Sequence, residues 1–419
     1  MKKFFALLLS LAMVLALVAC GQKDPTPDTP DTPDDPQTKV EYKVAMITDY
    51  GDITDQSFNQ TTYEACKAFA EDNSIEFSYF KPAGDNTADR VAMIEKAVND
   101  GFNVIVMPGY AFGGAIVEAA PEFPDVKFIA LDVAAGDLLE TAVAKAGEAY
   151  DYTPENWDLN KYVDMSNVYC AVYQEELCGY MAGYAAVKLG YKSLGFLGGM
   201  AVPAVVRYGY GFVQGVDAAA ADLGLTDVKL NYIYGGQFFG DADITAVMDT
   251  WYQGGTEVVF ACGGGIYTSA VDAAKKANAK VIGVDVDQAG VIAKYAAGDG
   301  ADEATIAKYL DLTVTSAMKG LYPATYDTLN DVINNGNWEK YVGKIETLGL
   351  VSGTDPEANY VQIPMGDGTQ WSDSFTQDDY KAMVADMFDG KVTVSNDTKK
   401  AAKDFATVIT VNDQGQIKG

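Results

Sequence analysis

The sequence predicts an α/β fold of two lobes, each a parallel β-sheet flanked by helices, with a ligand cleft between the lobes. Apolar segments of strand length alternate with helical segments along the chain, and continuous Val- and Ile-rich strands are typical of parallel sheets covered on both faces. This series breaks once, between residues 133 and 167, in a polar, Tyr-rich segment. Roughly 380 residues follow the N-terminal region, which exceeds one typical domain.

Nine strands are predicted from short apolar segments, and helical patterns lie between them. The strands are 44–48, 75–80, 104–107, 127–131, 168–174, 193–197, 229–234, 258–261 and 281–284. The helices are 55–72, 87–99, 176–189, 202–223, 243–253 and 269–277. Beyond residue 321 the pattern is less regular, and it predicts strands near 349–352 and 360–364 and a helix near 377–388, mostly on the periphery.

The break in the series sets the predicted lobe boundaries. The first lobe is expected to span residues 40–165 with part of 286–350. The second lobe is expected to span residues 166–285 with part of 350–419. A ligand would lie between them and be enclosed by hinge closure.

The N-terminus is typical of a secretory signal peptide. Lys2 and Lys3 precede an apolar stretch, and small residues lead to Cys20 in the sequence L-V-A-C. This ending resembles the bacterial lipobox, in which the cysteine is lipidated after cleavage. We therefore expect residues 1–19 to be removed and Cys20 to anchor the protein to the cell membrane from outside the cytoplasm. The alternative, an uncleaved anchor helix, requires a longer apolar run.

Residues 20–39 are predicted to be a linker. The segment 24–38 contains five prolines, five aspartates and no apolar residue. Such a composition cannot build a core, and its prolines favour extended stretches. We expect a semi-rigid spacer between the lipid surface and the folded domain.

Charge and composition exclude several classes of function. The net charge is −29, which argues against nucleic acid as a partner and disfavours strongly anionic ligands. The chain has no histidine, which removes Ser-His catalysis and His-based zinc sites. No P-loop motif occurs. Cys66, Cys170, Cys178 and Cys262 have no metal-binding spacing, although an exported chain permits a disulfide such as Cys170–Cys178.

The segment 46–60 carries the most informative candidate residues. A predicted strand ends just before Asp49, and a helix-like segment then begins near Asp55, with Phe58 and Asn59 at or near its first turn. Ligands bind beyond the carboxyl ends of strands in open α/β sheets. A ring for stacking with polar groups around it suits a neutral heterocycle or a sugar. Periodicity alone leaves a second reading open, in which Phe58 is a core residue of a capped helix.

Other strand ends supply further candidates on the same edge. These are Asp132, Phe238 with Phe239, the glycines 263–265, and Asp285 with Asp287. A ring from each lobe could sandwich a flat base, and carboxylates accept paired hydrogen bonds from vicinal hydroxyls. Each also has a structural alternative, since such aspartates often cap helices and a Gly-rich segment often marks a tight turn.

Five ordered motifs resemble one family. The sequence D-Y-G-D-I-T-D-Q-S-F-N-Q (49–60) resembles the signature of the basic membrane protein (BMP) lipoproteins, which include the purine nucleoside receptor A type. The segments G-F-L-G-G-M-A-V-P-A-V-V-R (195–207), Y-G-G-Q-F-F-G-D (234–241), I-G-V-D-V-D-Q (282–288) and K-Y-L-D-L-T-V (308–314) resemble further family motifs in the same order.

The resemblance implies a type I periplasmic-binding-protein-like fold and the capture of purine nucleosides for an ABC transporter permease, without catalysis or a cofactor. By resemblance, Phe58 and Phe238 stack on the base, and Asn59 and Asp132 bind its polar edge. The ribose would be held by Asp49, Asp285 and Lys308, helped by the backbone around Gly264.

The sequence departs from the family pattern at two places. Gln237 replaces the family's serine, and Phe239 adds a second ring, so either phenylalanine could stack. The stretch 134–166 is longer than expected. The ligand class inosine, guanosine or adenosine is expected, and a monomer is expected. The alternatives are another small polar ligand, such as a monosaccharide or furanose signal, or a surface nucleoside-cleaving enzyme.

Overall fold

The computed structural model describes residues 41–418. The predicted signal peptide, the lipidated Cys20 and the linker 20–39 lie outside the described residues. Among the helices of residues 41–418, none has both the length and the apolar character that crossing a membrane requires.

Thirteen strands and thirteen α-helices form between residues 41 and 418. The strands are β1 (Lys43–Ile47), β2 (Glu76–Phe80), β3 (Val104–Pro108), β4 (Lys127–Leu131), β5 (Val168–Tyr173), β6 (Ser193–Gly198), β7 (Lys229–Tyr234), β8 (Val258–Cys262), β9 (Lys280–Asp285), β10 (Thr313–Lys319), β11 (Ile345–Leu348), β12 (Val361–Gln362) and β13 (Thr410–Gln416). The helices are α1 (Phe58–Asn73), α2 (Thr87–Asn99), α3 (Gly113–Ala119), α4 (Ala135–Lys145), α5 (Leu159–Tyr162), α6 (Glu175–Lys188), α7 (Pro203–Asp222), α8 (Ala242–Gln253), α9 (Tyr267–Ala277), α10 (Ala289–Ala297), α11 (Glu303–Ala307), α12 (Leu321–Ile333) and α13 (Gln377–Phe388).

The strands form two sheets, each covered by helices. The six-stranded sheet of the first lobe has the order β11-β5-β4-β3-β1-β2, and all its pairs are parallel. The seven-stranded sheet of the second lobe has the order β12-β10-β9-β8-β6-β7-β13, in which only β12 runs antiparallel. The central strands are buried on both faces, as in β3 and β8, where every residue is buried. This burial explains their continuous apolar sequences.

The nine strands predicted from the sequence are present as β1–β9, each within one residue of the predicted bounds. Strand β10 is absent from the prediction, which has no strand at or after the motif 308–314 until residue 349. In the structure that motif contains the end of α11, a 3₁₀ turn at Leu310–Leu312 and the start of β10. The predicted helix 377–388 is present as α13.

The predicted lobe boundary at residue 166 is wrong. Strand β5 pairs with β4 of the first lobe, with Ala130 opposite Cys170. The segment 134–166 is therefore a crossover between two strands of one sheet, and it contains α4 and α5. The chain first enters the second lobe after β5, through α6, which packs mainly on α7.

The segments that cross between the lobes hydrogen-bond to one another. The N–H of Gln174 donates to the carbonyl of Leu348 at 2.9 Å. The N–H of Gly320 donates to the carbonyl of Tyr360 at 2.7 Å, and the N–H of Tyr360 donates to the carbonyl of Gly349 at 3.0 Å. These crossings lie at the edges of both sheets.

The tail beyond residue 355 packs on the second lobe. It adds β12 at one edge of the second sheet and β13 at the other. Helix α13 buries Tyr380, Met383 and Val384 in the main core.

The four cysteines within the described residues, Cys66, Cys170, Cys178 and Cys262, are buried free thiols. No disulfide therefore joins Cys170 and Cys178.

Candidate functional site

A cavity of about 460 Å³ lies between the two lobes, at the carboxyl ends of the central strands. Seven of the eight predicted ligand-binding residues line it: Asp49, Phe58, Asn59, Asp132, Phe238, Gly264 and Asp285. The eighth, Lys308, does not line the cavity. It follows α11 and its side chain is exposed to solvent.

Asp49 follows β1 and turns the chain away from the sheet. Its Oδ1 accepts hydrogen bonds from the N–H groups of Tyr50 and Gly51, each at 2.6 Å, and from Nδ2 of Asn59 at 3.2 Å. Burial raises the pKa of Asp49 above its ordinary value, and these donors oppose the shift. Its Oδ2 faces Gly109, where a Cβ atom would lie only 3.1 Å away.

Helix α1 begins at Phe58 because Asp55 organises its first turn. The carboxylate of Asp55 accepts hydrogen bonds from the N–H groups of Ser57, Asn59 and Gln60 at 2.9–3.0 Å. The ring of Phe58 is half-buried at the rim of the main core and also lines the cavity. Phe58 therefore contacts both the core and the cavity.

Asn59 presents a hydrogen-bond acceptor to the site. Its Nδ2 donates to Asp49 and to Oδ2 of Asp55, which fixes the orientation of the amide. Its Oδ1 is buried and has no protein partner. An unpartnered buried acceptor is costly unless a ligand or water donates to it.

Asp132 and Asp285 end facing strands of the two lobes, and both adopt left-handed backbone, with φ of 60° and 65°. Such strain is often kept at binding sites. Oδ2 of Asp285 accepts from the hydroxyl of Ser57 at 2.5 Å, and Oδ1 accepts from the hydroxyl of Tyr208 at 3.2 Å. The contact with Ser57 joins the second lobe to the first. Oδ1 of Asp132 is buried without a partner.

One cation that lines the cavity is Lys319, the last residue of β10, whereas the expected Lys308 does not line it. Its ammonium forms an ion pair with Oδ2 of Asp132 and lies 3.6 Å from Oε1 of Glu175 and 3.7 Å from Oδ1 of Asp285. Burial alone would lower the pKa of Lys319, but these three carboxylates raise it above its ordinary value. The ammonium also lies 4.7 Å from the centre of the Phe58 ring.

A second cation completes the charge cluster beneath the cavity. The Nε of Arg207 donates to Oε2 of the fully buried Glu175 at 2.6 Å. Burial raises the pKa of Glu175, and Arg207 and Lys319 oppose the shift. Burial also raises the pKa of Asp137, at the start of α4, to about 7. Buried charges of this kind persist only when they are paired.

The loop of residues 235–241, called the aromatic loop below, carries Phe238 and Phe239 to the second-lobe side. Phe238 packs closely on glycines, since a Cβ atom at Gly199 would lie 2.4 Å from its Cδ1 and one at Gly263 would lie 2.8 Å from it. Phe239 is 58% exposed. Gly263 and Gly264 have positive φ values of 144° and 50°, which glycine adopts at little cost.

Sequence reasoning did not identify Lys319, Glu175, Arg207 and Tyr208 as site residues. Arg207 is the last residue of the motif 195–207, and this motif could have identified it as a site residue. Lys319 follows an alternating segment, T-V-T-S-A-M-K, that is compatible with a strand. Glu175 and Tyr208 carry no local signal, because their role depends on residues more than 30 positions away.

Within residues 41–418 there is no group of three or more acidic or cysteine side chains arranged to hold a metal ion. The cavity between the lobes is surrounded by half-buried aromatic rings, paired charges and hydrogen-bond acceptors without a protein partner. It is suited to binding a small neutral molecule with both a flat ring and polar groups.

Comparison with known proteins agrees with this geometry. A family model described as "ABC transporter substrate-binding protein PnrA-like" (Bmp) matches residues 42–354. The nucleoside-binding protein BmpA of an ABC transporter of Lactococcus lactis is 25% identical over 399 residues, which cover 92% of this chain and 96% of that protein. The CD4+ T-cell-stimulating antigen of Listeria monocytogenes is 27% identical over 341 residues, or 78% and 83% of the two chains.

Two solved structures share the fold. A solute-binding protein of an ABC transporter system from Aeropyrum pernix superposes with a TM-score of 0.58 at 19% identity, covering 87% of this chain and 90% of that one. A similar protein from Conexibacter woesei gives a TM-score of 0.56 at 20% identity, with 85% and 99% covered. The type I periplasmic-binding-protein-like fold expected from the sequence is therefore confirmed.

Proposed function

The chain belongs to the Bmp family of PnrA-like ABC transporter substrate-binding proteins, which bind solutes and are not enzymes, and on that premise we propose that it captures purine nucleosides outside the cytoplasm for an ABC transporter permease. One observation carries the proposal: aromatic rings from both lobes, Phe58 and Phe238, line one cavity that also holds unpartnered hydrogen-bond acceptors. The relative named as a nucleoside-binding protein supports it.

In this proposal the base lies between Phe58 and Phe238. Each stacking contact with a base contributes about 1–3 kcal/mol. Phe238 is favoured over Phe239 as the second ring, because Phe239 is mostly exposed and Phe238 is held against Gly199 and Gly263.

The polar groups of the nucleoside would meet the acceptors of the cavity. Oδ1 of Asn59 and Oδ1 of Asp132 both lack a partner, so the edge of the base would offer N–H donors to them. The carboxylates of Asp49 and Asp285 would accept hydrogen bonds from the ribose hydroxyls. Lys319 would contact the ribose, the role that the sequence-based assignment gave to Lys308. Gly264 lines the same cavity.

The charge of the site favours a neutral ligand. Asp49, Asp132 and Asp285 line the cavity, whereas the cations Lys319 and Arg207 are already paired with carboxylates. A phosphate group would meet this excess of negative charge in a poorly screened environment. We therefore expect inosine 5′-monophosphate to bind more weakly than inosine.

Isothermal titration calorimetry with inosine, guanosine, adenosine, cytidine and ribose tests the proposal. Tight binding of purine nucleosides, with weaker binding of cytidine and ribose, is the expected result. Ribose binding as tightly as any nucleoside would contradict it and support a sugar-binding protein. The analogue 1-methylinosine lacks the N1–H donor, and we expect it to bind more weakly than inosine because one acceptor would stay unpartnered.

Capture would proceed by hinge closure between the lobes. The contact of Ser57 with Asp285 and the hydrogen bond from Nε2 of Gln288 to the carbonyl of Gln56, at 3.1 Å, both join the lobes beside the cavity. Small-angle scattering with and without inosine tests closure, and an unchanged radius of gyration would contradict it. A monomer suffices in this proposal, because one chain lines the whole cavity.

We also propose that lipidated Cys20 anchors the protein to the cell membrane. Several relatives bear the name lipoprotein, including one from Pyrococcus abyssi that is 26% identical over 326 residues, or 75% of this chain and 69% of that protein. Metabolic labelling with a fatty acid tests the anchor. Label should enter the wild-type protein and be lost in Cys20→Ser, and equal labelling of both would contradict the proposal.

A further inference from the structure

We propose that residues 416–418, and Lys418 in particular, position the aromatic loop that carries Phe238, and so preorganise the second-lobe side of the cavity. The inference rests on the proposed function only for its effect on affinity. These residues lie beyond the part of the chain that the family model matches, which ends at residue 354.

Strand β13 delivers this segment to the start of the aromatic loop. It runs parallel to β7, and Gln416 lies opposite Tyr234, the last residue of β7. The N–H of Ile417 then donates to the carbonyl of Tyr234 at 2.8 Å. The aromatic loop begins at the next residue, Gly235, so this hydrogen bond fixes the backbone from which the loop starts.

The segment also touches the loop itself. A Cβ atom at Gly236 would lie 2.5 Å from the carbonyl oxygen of Lys418 and 3.0 Å from its Cβ. Gly236 has a positive φ of 84°, so both its backbone conformation and the close approach require glycine. The aromatic loop therefore packs directly on residues 416–418.

The side chain of Lys418 holds the far end of the loop. Its ammonium forms an ion pair with Oδ2 of Asp241 and lies 3.4 Å from Oδ2 of Asp243. The same Oδ2 of Asp241 accepts from Nε2 of Gln237 at 2.9 Å, and Gln237 also donates to the carbonyl of Phe239 at 2.9 Å. Lys418 thus connects through two side chains to the residues on both sides of Phe238.

Asp241 is the point where these contacts converge. Its Oδ1 accepts hydrogen bonds from the N–H groups of Asp243 and Ile244, each at 3.0 Å, and thereby caps α8. The hydrogen bond from Lys418 lowers the pKa of Asp241 to about 2, so the carboxylate stays charged at neutral pH. Helix α8 and residues 416–418 together hold the end of the loop.

Preorganisation predicts how loss of this ion pair affects binding. Ordering a loop on binding costs free energy and weakens affinity. A loop that is ordered before the ligand arrives avoids this cost. For Lys418→Met we expect the Kd for inosine to rise by no more than about fivefold, because the ion pair with Asp241 is exposed to solvent. Lys418→Arg keeps the charge and should restore most of the affinity.

A purely structural role for Lys418 would give a different result. It would lower the stability of the protein and leave the affinity per folded molecule unchanged. Lys399→Met is the matched control, because Lys399 forms an exposed ion pair with Glu155 at 3.4 Å and does not line the cavity. We expect this control to bind inosine as the wild type does.

Calorimetric titrations in two backgrounds test the inference. Lys418→Met should weaken inosine binding in the wild-type background and have no further effect in Phe238→Ala, because Lys418 acts through that ring. An unchanged Kd in folded Lys418→Met, or an equal loss in both backgrounds, would overturn it.

Hydrogen exchange on the ligand-free protein tests the positioning role independently of any nucleoside. Backbone amides of residues 236–241 should exchange several-fold faster in Lys418→Met than in the wild type, and Lys399→Met should leave them unchanged. Equal exchange in all three proteins would overturn the inference. Absence of inosine binding by the wild type, with faster exchange in Lys418→Met, would instead contradict the proposed function alone.

Discussion

Replacing Gly199 by alanine is the most direct test of the Phe238 ring as a ligand contact. Gly199 follows β6, and its φ lies outside the left-handed region, so alanine adds a methyl group without backbone strain. That methyl carbon would lie 2.4 Å from Cδ1 and 2.6 Å from Cε1 of Phe238. The substitution therefore acts on the ring through sterics alone.

The size of the effect follows from these distances. Carbon atoms in favourable contact are about 3.5–4.0 Å apart, so the ring must move by about 1 Å or more. A displaced ring cannot keep its stacking contact with the base. Loss of one such contact, about 1–3 kcal/mol, corresponds to a rise of about 5- to 150-fold in the Kd for inosine.

Calorimetric titration of Gly199→Ala with inosine measures this rise, and thermal unfolding reports whether the protein stays folded. Gly290→Ala is the matched control. Gly290 lies in α10, and a Cβ atom there meets no other atom within 4 Å, so inosine binding should be unchanged.

A second titration shows whether the methyl group acts through the ring. In the Phe238→Ala background, Gly199→Ala should cause no further loss, because the displaced ring is no longer present. A folded Gly199→Ala protein with wild-type affinity for inosine would refute the assignment of Phe238.

Three further predictions concern other residues of the site and the core. Phe58→Ala should raise the Kd for inosine about 5- to 150-fold and leave unfolding cooperative, whereas unfolding with unchanged affinity per folded molecule would indicate a purely core role. Lys319→Met should lower the free energy of unfolding by about 3–5 kcal/mol in urea titrations, because three buried carboxylates lose their shared cation, and an unchanged midpoint would contradict this. Burial raises the pKa of Glu176 from 4.5 to about 7. As pH rises from about 4.5 to 7, the unfolded chain releases this proton and the folded protein retains it, so stability is lost over that window. Glu176→Gln should therefore raise Tm more at pH 8 than at pH 5. The corresponding difference in the free energy of unfolding is up to about 3 kcal/mol. An equal shift of Tm at both pH values would contradict the raised pKa.

The positions of the strand-end residues could be predicted from the sequence because they depend on local pattern. A continuous apolar strand ends at or within two residues of an aspartate, as at Asp49, Asp132 and Asp285. Parallel strands bring their carboxyl ends to one edge, so such residues gather without further information. The motif around Phe58 and Asn59 added their proposed roles by resemblance.

The assignment of β5 to a lobe could not be predicted in this way. Its apolar sequence fits either sheet equally well, since strand periodicity carries no information about the neighbouring strand. The choice depends on the crossover through residues 134–166, which returns the chain to the edge of β4. The polar composition of that segment suggested a lobe crossing, but it covers a connection within one lobe.

The sequence by itself determined the class of fold, the order of the strands along the chain and seven of the residues that line the cavity, because each of these follows from local hydrophobic pattern or from contiguous motifs. Only the tertiary structure decided that Lys319, and not Lys308, is a cation of the site. Lys319 meets Asp132, Glu175 and Asp285 from three separate elements. Electrostatic pairing depends on distance in space, and residues more than 30 positions apart leave no local pattern that records it.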